Sequence, residues 1–338
     1  MWGKFFESPF FQSIFKLMKK GHHGVGLFFV LSGFLITYLL LHEAKAKGKI
    51  YAFGFFMRRL LRIWPLYFII VLFGFFIFPS LPNGLETQNS FLHYSLFISN
   101  FEEIWTGWKD SISFLTVTWS VSIEEQYYMA WVALIAIIPS FSRGKYFPIY
   151  FVLLILTSVL FRILHIGNER TIYFHTLSVI SDLAIGGLLS YATFVTHKLD
   201  KFKNLSRLLI LGIYAVGIII ILFSTKIFTG YLIGIERIVI GIFFAFVIFE
   251  QVFCKNSLFK ADKVLNFFQL GEISYGIYMY HCIVIYFVQH IIMQYNLNDS
   301  ILGFIAFLFI SGYITLVLSR LSFNYIEKPI LNLKKWFR

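Results

Sequence analysis

Gly24 to Leu41, GVGLFFVLSGFLITYLLL, runs 18 residues without a charge, and its reading decides the fold. A helix rises about 1.5 Å per residue, so this run covers most of the ~30 Å apolar thickness of a bilayer. In lipid every backbone N–H and C=O must find its partner within the segment, which a helix achieves. Further runs of the same kind cover 60–78, 118–139, 147–165, 175–195, 207–223, 231–252, 271–293 and 300–319. The pattern predicts an all-α, polytopic integral membrane helix bundle of about nine transmembrane helices over 24–320. A polar or amphipathic segment over 1–23 precedes it, and a basic tail over 321–338 follows. No repeat, low-complexity tract or soluble domain interrupts the runs.

Composition agrees. The chain is 58% hydrophobic with 43 Phe and 14% charged residues, more apolar surface than a soluble domain of this length could hide. The net charge of +12 sits in short loops between apolar runs, as topology signals do, and so does not read as a nucleic-acid footprint. Cys254 and Cys282 give neither a metal spacing nor a disulfide framework. Met1 to Lys20 lacks the apolar core of a cleavable signal peptide.

Loop charges orient the bundle. Lys45, Lys47, Lys49, Arg58, Arg59 and Arg62 place 42–62 in the cytoplasm. The long connection 79–117, with Glu86, Glu102, Glu103 and Asp110 against Lys109, falls outside; its Trp105 and Trp108 suit an interfacial aromatic belt. Arg143 and Lys145, then Lys198, Lys201, Lys203 and Arg207, then Lys255, Lys260 and Lys263, and finally Lys328, Lys334, Lys335 and Arg338 mark the remaining cytoplasmic segments. The N-terminus disagrees, because residues 1–23 must then lie outside while carrying Lys4, Lys16, Lys19 and Lys20. Either Phe5–Met18 is an amphipathic helix on the outer surface, or a preceding helix is missing. The charge bias favours the missing helix.

The polar residues inside these runs are the candidates for chemistry. In Trp119 to Tyr128, WSVSIEEQYY, two carboxylates enter the mouth of a span, and a lipid-facing carboxylate costs roughly 2.5–3.5 kcal/mol. Glu125 has a structural reading as a capping box with Ser122. Glu124 has none: it stands one turn from Ser120 and about one turn from Tyr127, so a desolvated base or acid is expected there. Arg58, Arg59 and Arg62 share helix faces at the spacing that suits phosphate groups, with topology anchoring as the plain alternative. Pro65 should kink that helix or open its first turn. His281, about ten residues into its span, suits a base, a proton relay or an interhelical hydrogen bond. Asp182 is a further buried acid whose partner is Ser178 or a basic group on a facing helix. Glu236–Arg237 reads as a structural ion pair. His22 and His23 read as interface histidines, since adjacent histidines make a poor metal pair and no metal site is expected. The glycines around Ser32 should let a neighbouring helix approach closely.

Four stretches in order resemble the membrane-bound acyltransferase-3 family, bacterial O-acyltransferases of cell-envelope glycans. They are Gly24 to Ile36 (GVGLFFVLSGFLI), Arg58 to Tyr67 (RRLLRIWPLY), Thr118 to Tyr128 (TWSVSIEEQYY) and Leu270 to His281 (LGEISYGIYMYH), and Tyr325-Ile326-Glu327-Lys328-Pro329 resembles the family's closing signature. The resemblance implies an acyl-CoA co-substrate (acetyl-CoA) on the cytoplasmic side and a glycan or lipid-linked sugar hydroxyl on the outer side. It implies no permanently bound cofactor, and a site in the bacterial inner membrane. On that likeness Arg58, Arg59 and Arg62 hold the phosphates of coenzyme A, and Glu124 is the catalytic acid or base. Trp119, Ser120, Tyr127 and Asp182 line the substrate pocket, and His281 is a second catalytic candidate. The family opens with a helix, the first of ten or more, bearing an Arg and a catalytic His; this chain begins after that point. The rival readings are a transporter or flippase of an envelope precursor, and an N-terminally truncated, inactive acyltransferase.

Overall fold

The described part of each of the nine apolar runs is helical, because none carries enough polar groups to reward any structure that leaves backbone unpaired in lipid. The computed structural model describes residues 12, 16, 20–81, 89–106, 114–137, 147–260 and 267–337. In chain order the helices are α1 (His23–Lys47), α2 (Ala52–Leu72), α3 (Phe91–Ser95), α4 (Ser99–Trp105), α5 (Thr118–Ile137), α6 (Phe147–Leu164) and α7 (Glu169–Phe174). They continue as α8 (Thr176–Phe194), α9 (Arg207–Ile227), α10 (Ile233–Phe253), α11 (Phe267–Gln294), α12 (Ile301–Ser322) and α13 (Lys328–Leu331). No strand forms among the described residues.

Among the described residues, eight segments are long and apolar enough to cross a membrane by length and composition. The polar first half of α5 keeps that helix below the same standard, so the expected nine become eight plus α5. The protein is an all-α, multi-pass membrane protein. Most of 1–23, including the expected surface helix Phe5–Met18, lies outside the described residues, as do Glu86, Trp108, Lys109, Asp110, Arg143, Lys145 and Lys263. The described part of the tail, 321–337, continues in helical turns, through Phe323–Glu327 and α13 to Asn332–Phe337.

The chain forms two compact units. One is built from α1, α6 to α10 and α5 from Ile123 onward. Here α1 and α8 touch backbone to backbone: a Cβ on Gly33 would run into the Leu183 carbonyl, and one on Gly186 into the Val30 carbonyl. Lipid offers no hydrophobic drive to bring helices together, so such close approach through small residues supplies the packing energy. Val30, Phe34, Ile185, Leu189, Ile240 and Phe244 fill the seam. Trp131, fully buried, stacks on Tyr150 at 4.9 Å and anchors α5 to α6. Gly48, at φ 71°, ends α1 in the left-handed turn that glycine adopts without strain.

The other unit holds α2 to α4, α5 up to Ser122, and α11 to α13. α2 runs unbroken through Pro65, and its irregularity comes later, in a wide turn at Phe73–Ile77. The first turn does not open at Pro65. The Tyr275 hydroxyl donates to the Ile63 carbonyl at 2.9 Å, and Tyr67 stacks on Phe97 at 4.5 Å.

Within this unit the connection 79–117 contains α3, α4 and a turn at Leu115–Val117. Glu102 and Glu103, read from sequence as loop charges, are buried. Glu102 accepts from the Ser90 amide at 2.8 Å and meets His93, and Glu103 accepts from the Tyr94 hydroxyl at 3.4 Å. Burial and the Glu103 carboxylate push the Tyr94 hydroxyl well above its ordinary pKa, so it stays a donor. Trp105 is 63% exposed, as a belt residue would be.

Candidate functional site

Glu124 and Tyr128 are one turn apart on α5, so they share a face. The Tyr128 hydroxyl donates to Glu124 Oε2 at 3.0 Å and meets the Ser32 hydroxyl on α1. The half-buried carboxylate thus ends a chain of two buried hydroxyls. Tyr127, expected beside Glu124, instead lies buried against Trp131 at 6.3 Å. The capping box also fails. α5 starts at Thr118, whose hydroxyl bonds the Leu115 carbonyl and Ser99, so Ser122 falls in the second turn and pairs with Ser99 at 2.8 Å. Glu125 is therefore a buried mid-helix acid and no cap.

At the start of α5, in the other unit, Trp119 and Ser120 are both buried. The Ser120 hydroxyl lies 2.7 Å from the Tyr278 hydroxyl on α11. His281 sits one turn further along α11, its ring 5.6 Å from that of Tyr278. Its Nδ1 lies 2.5 Å from the Tyr278 carbonyl, which can only accept, so Nδ1 carries the proton and Nε2 keeps the lone pair. Cys282 Sγ lies 3.2 Å from that Nε2. Ser120, Tyr278 and His281 form one polar group, in which Tyr278 was missed from sequence because its pattern there reads as aromatic packing.

The three arginines of α2 face the C-terminal turns of the same unit. Arg58 Nη1 donates to the Phe337 carbonyl at 2.5 Å, and its guanidinium lies 5.5 Å from the centre of the Phe55 ring. Lys334 lies within electrostatic reach of Arg62, Arg59 and Arg58. Four cations therefore gather in one half-buried place, with the buried Glu327 carboxylate within electrostatic reach of Arg62 as a partial counter-charge, and the remaining excess of positive charge suits a ligand carrying several phosphate charges. From the sequence, Lys334 reads only as a topology charge.

Asp182, on α8, is buried and meets Arg237 of α10, whose Nη2 and Nε donate to Oδ2 at 2.6 and 3.1 Å. The basic group on a facing helix is thus its partner. Ser178 serves another group: Arg162 Nη1 donates to its hydroxyl at 3.2 Å. Arg162 also donates through Nε to the Ile233 carbonyl at 3.0 Å and through Nη2 to Glu236 at 3.1 Å. Glu236 and Arg237 therefore do not pair with each other, as expected from sequence, but with two different helices. Adjacent positions on a helix point about 100° apart, which forces that split. His22 and His23, read as interface histidines, lie with ring centres 4.0 Å apart and planes tilted by 38°, and border the same polar region. Arg162 was missed, though an arginine inside TSVLFRILHI (157–166) is itself an intramembrane charge and a signal.

The profile of the Acyl_transf_3 family, described as an acyltransferase domain, matches residues 6–320. The chain belongs to that family. It is 26% identical over 332 residues to the Staphylococcus aureus (strain COL) protein named "Putative O-acetyltransferase SACOL0978", covering 91% of this chain and 52% of the relative. It is also 26% identical over 337 residues to "O-acetyltransferase OatA" of Staphylococcus aureus (strain NCTC 8325 / PS 47), covering 94% of this chain and 53% of the relative. The chain thus spans about half the length of the curated relatives it matches. No solved structure matches it significantly.

Proposed function

We propose that this protein is a membrane O-acyltransferase. It moves an acyl group, acetyl by the names of its relatives, from acyl-CoA to a hydroxyl of a cell-envelope polysaccharide or lipid-linked sugar. The observation that carries this reading is the acyltransferase family match over 6–320. The cation cluster and the acid with its hydroxyl chain supply chemistry suited to such a reaction. The loop charges put Arg58, Arg59 and Arg62 on the cytoplasmic side, where acyl-CoA is made, in what we take to be a bacterial inner membrane. With Lys334 they hold the phosphates of coenzyme A.

The acceptor hydroxyl gives its proton to the Glu124 carboxylate as its oxygen bonds to the thioester carbonyl carbon. Collapse of the tetrahedral intermediate breaks the C–S bond, and the sulfur takes up that proton as coenzyme A leaves. Tyr128 and Ser32 keep the carboxylate aimed, guanidinium or backbone donors stabilise the oxyanion, and Nε2 of His281 is the second candidate base. Trp119 and Ser120 shape the substrate pocket.

The test is thiol release. With acetyl-CoA and an envelope-glycan acceptor, the protein in lipid nanodiscs should free coenzyme A only when acceptor is present. Glu124→Gln should lower that rate by about 10²–10⁴-fold with normal expression. Thiol release that ignores the acceptor, or none at all as for a flippase, defeats the reading; an active Glu124→Gln removes this residue from the mechanism.

A further inference from the structure

The polar region around Asp182 encloses a cavity of about 80 Å³. Its charged wall is Arg162, Asp182, Glu236 and Arg237, with His22 and Tyr173 also lining it. The two cations are matched by two carboxylates, so the site carries no net charge to reward an anion or a cation. It offers both hydrogen-bond donors and acceptors beside aromatic rings. Asp182 Oδ1 is buried and takes no well-formed hydrogen bond, although the Ser181 hydroxyl lies within reach of the carboxylate and Oδ2 takes two bonds from Arg237. Leaving a carboxylate oxygen unpaired at depth is expensive, so a donor from a ligand has a place to bind.

Two glycines make the space. A Cβ on Gly26 would sit 3.3 Å from Asp182 Oδ2, and one on Gly241 would sit 3.6 Å from Oδ1. In the loop-charge orientation, the N-terminal end of α1, the C-terminal end of α6 and the N-terminal ends of α8 and α10 all lie at the outer face. Ser32, which meets Tyr128 of the Glu124 chain, is six residues beyond Gly26 along α1. That places its register roughly 9 Å deeper in the membrane.

We propose that this cavity is the subsite for the hydroxyl-bearing edge of an uncharged sugar, with Asp182 Oδ1 accepting from a sugar hydroxyl and Arg237 holding that carboxylate in place. It rests on the acyltransferase reading and narrows it: the acceptor is engaged from outside through a neutral polyol face. Water is the competitor for the cavity, which is large enough to hold it.

Binding is read separately from catalysis, by saturation-transfer NMR on the full chain in nanodiscs. The probes are methyl β-D-glucopyranoside and N-acetylglucosamine, with acetate and tetramethylammonium as charged controls. Both sugars should bind wild type, and neither ion should. The double variant Asp182→Asn/Arg237→Gln, which removes the pair together, should weaken sugar binding about tenfold. Gly26→Ala, which narrows the cavity without touching charge, should weaken it severalfold and decides the matter if the double variant fails to fold. In the transfer assay the same variants should raise the acceptor KM and leave the acyl-CoA KM alone.

A wild-type protein that binds no sugar holds only water there, and the proposal falls. Equal binding by wild type and Gly26→Ala also overturns it, as does transfer with an unchanged acceptor KM, which leaves the acyltransferase reading intact. Sugar binding that both variants weaken, without any thiol release, keeps the subsite and ends the acyltransferase reading.

Discussion

Two sets of arginines in this protein are arranged in opposite ways. Arg58, Arg59 and Arg62 crowd together on α2, half-buried, with a fourth cation at Lys334 and one carboxylate, the buried Glu327, in electrostatic reach of Arg62, so positive charge is in excess. Arg162 and Arg237 each meet a carboxylate from another helix, Glu236 and Asp182, and are largely buried. Like charges held together cost energy that a polyanionic ligand would repay. Opposite charges held together satisfy each other, and breaking one such pair leaves its partner stranded in a low dielectric. The first arrangement is suited to binding phosphates; the second is a neutral scaffold that a dipolar ligand can join. The comparison can be broken by asking which set the fold depends on and which set the donor depends on.

The largest effect should come from stranding one charge of the balanced set. Asp182→Leu leaves Arg237 without its carboxylate and should cost about 3–5 kcal/mol. Thermal unfolding in detergent, followed by tryptophan fluorescence, would report it as a large fall in Tm. The double change Asp182→Leu/Arg237→Met removes both charges and should recover most of the loss. Arg59→Gln in the crowded set should stay within about 0.5 kcal/mol of wild type. If Arg59→Gln unfolds the protein as readily as Asp182→Leu, the α2 cluster is structural and the contrast collapses.

The next effect sharpens the other side. If the α2 cluster holds phosphates, each lost guanidinium removes charge-assisted hydrogen bonds worth about 1.5–3 kcal/mol. Arg59→Gln and Arg62→Gln should therefore each raise the Kd for acetyl-CoA by about tenfold or more, measured by calorimetry in nanodiscs. Their effect should shrink as salt is added, since the wild-type affinity itself falls with screening at a half-exposed site. An affinity that neither substitution changes assigns these arginines to lipid headgroups.

The spans were legible in the sequence because lipid imposes a one-dimensional rule: about 20 consecutive apolar residues, written contiguously. The cation cluster was legible for the same reason, since Arg58, Arg59 and Arg62 are near neighbours on one helix. What stayed hidden depends on partners far away in the chain. Arg162 takes its meaning from Ser178, Ile233 and Glu236, which are 16, 71 and 74 residues distant. Thr118, at the start of α5, bonds Ser99, a contact 19 residues away in the chain that the local Ser122–Glu125 spacing does not reveal. Register caused the remaining error. Positions three and four residues on both neighbour Glu124, and only packing of Tyr127 against Trp131 leaves the acid to Tyr128.

That choice of tyrosine supports the smallest of the expected effects and the most discriminating one. Tyr128→Phe keeps the ring and removes only the hydroxyl between Ser32 and Glu124. One net hydrogen bond is worth about 1 kcal/mol, so Tm should fall by a few degrees. Charge stays where it was, and the carboxylate remains present but less firmly aimed. Transfer should then drop by about tenfold, well short of the loss expected for Glu124→Gln, because a positioning contact is removed and the proton acceptor is not. Tyr127→Phe serves as the matched control: its hydroxyl is buried away from Glu124, so the transfer rate should hold even if stability changes. Equal losses from the two tyrosines would mean that the α5 face was assigned wrongly and that Glu124 works without the hydroxyl chain.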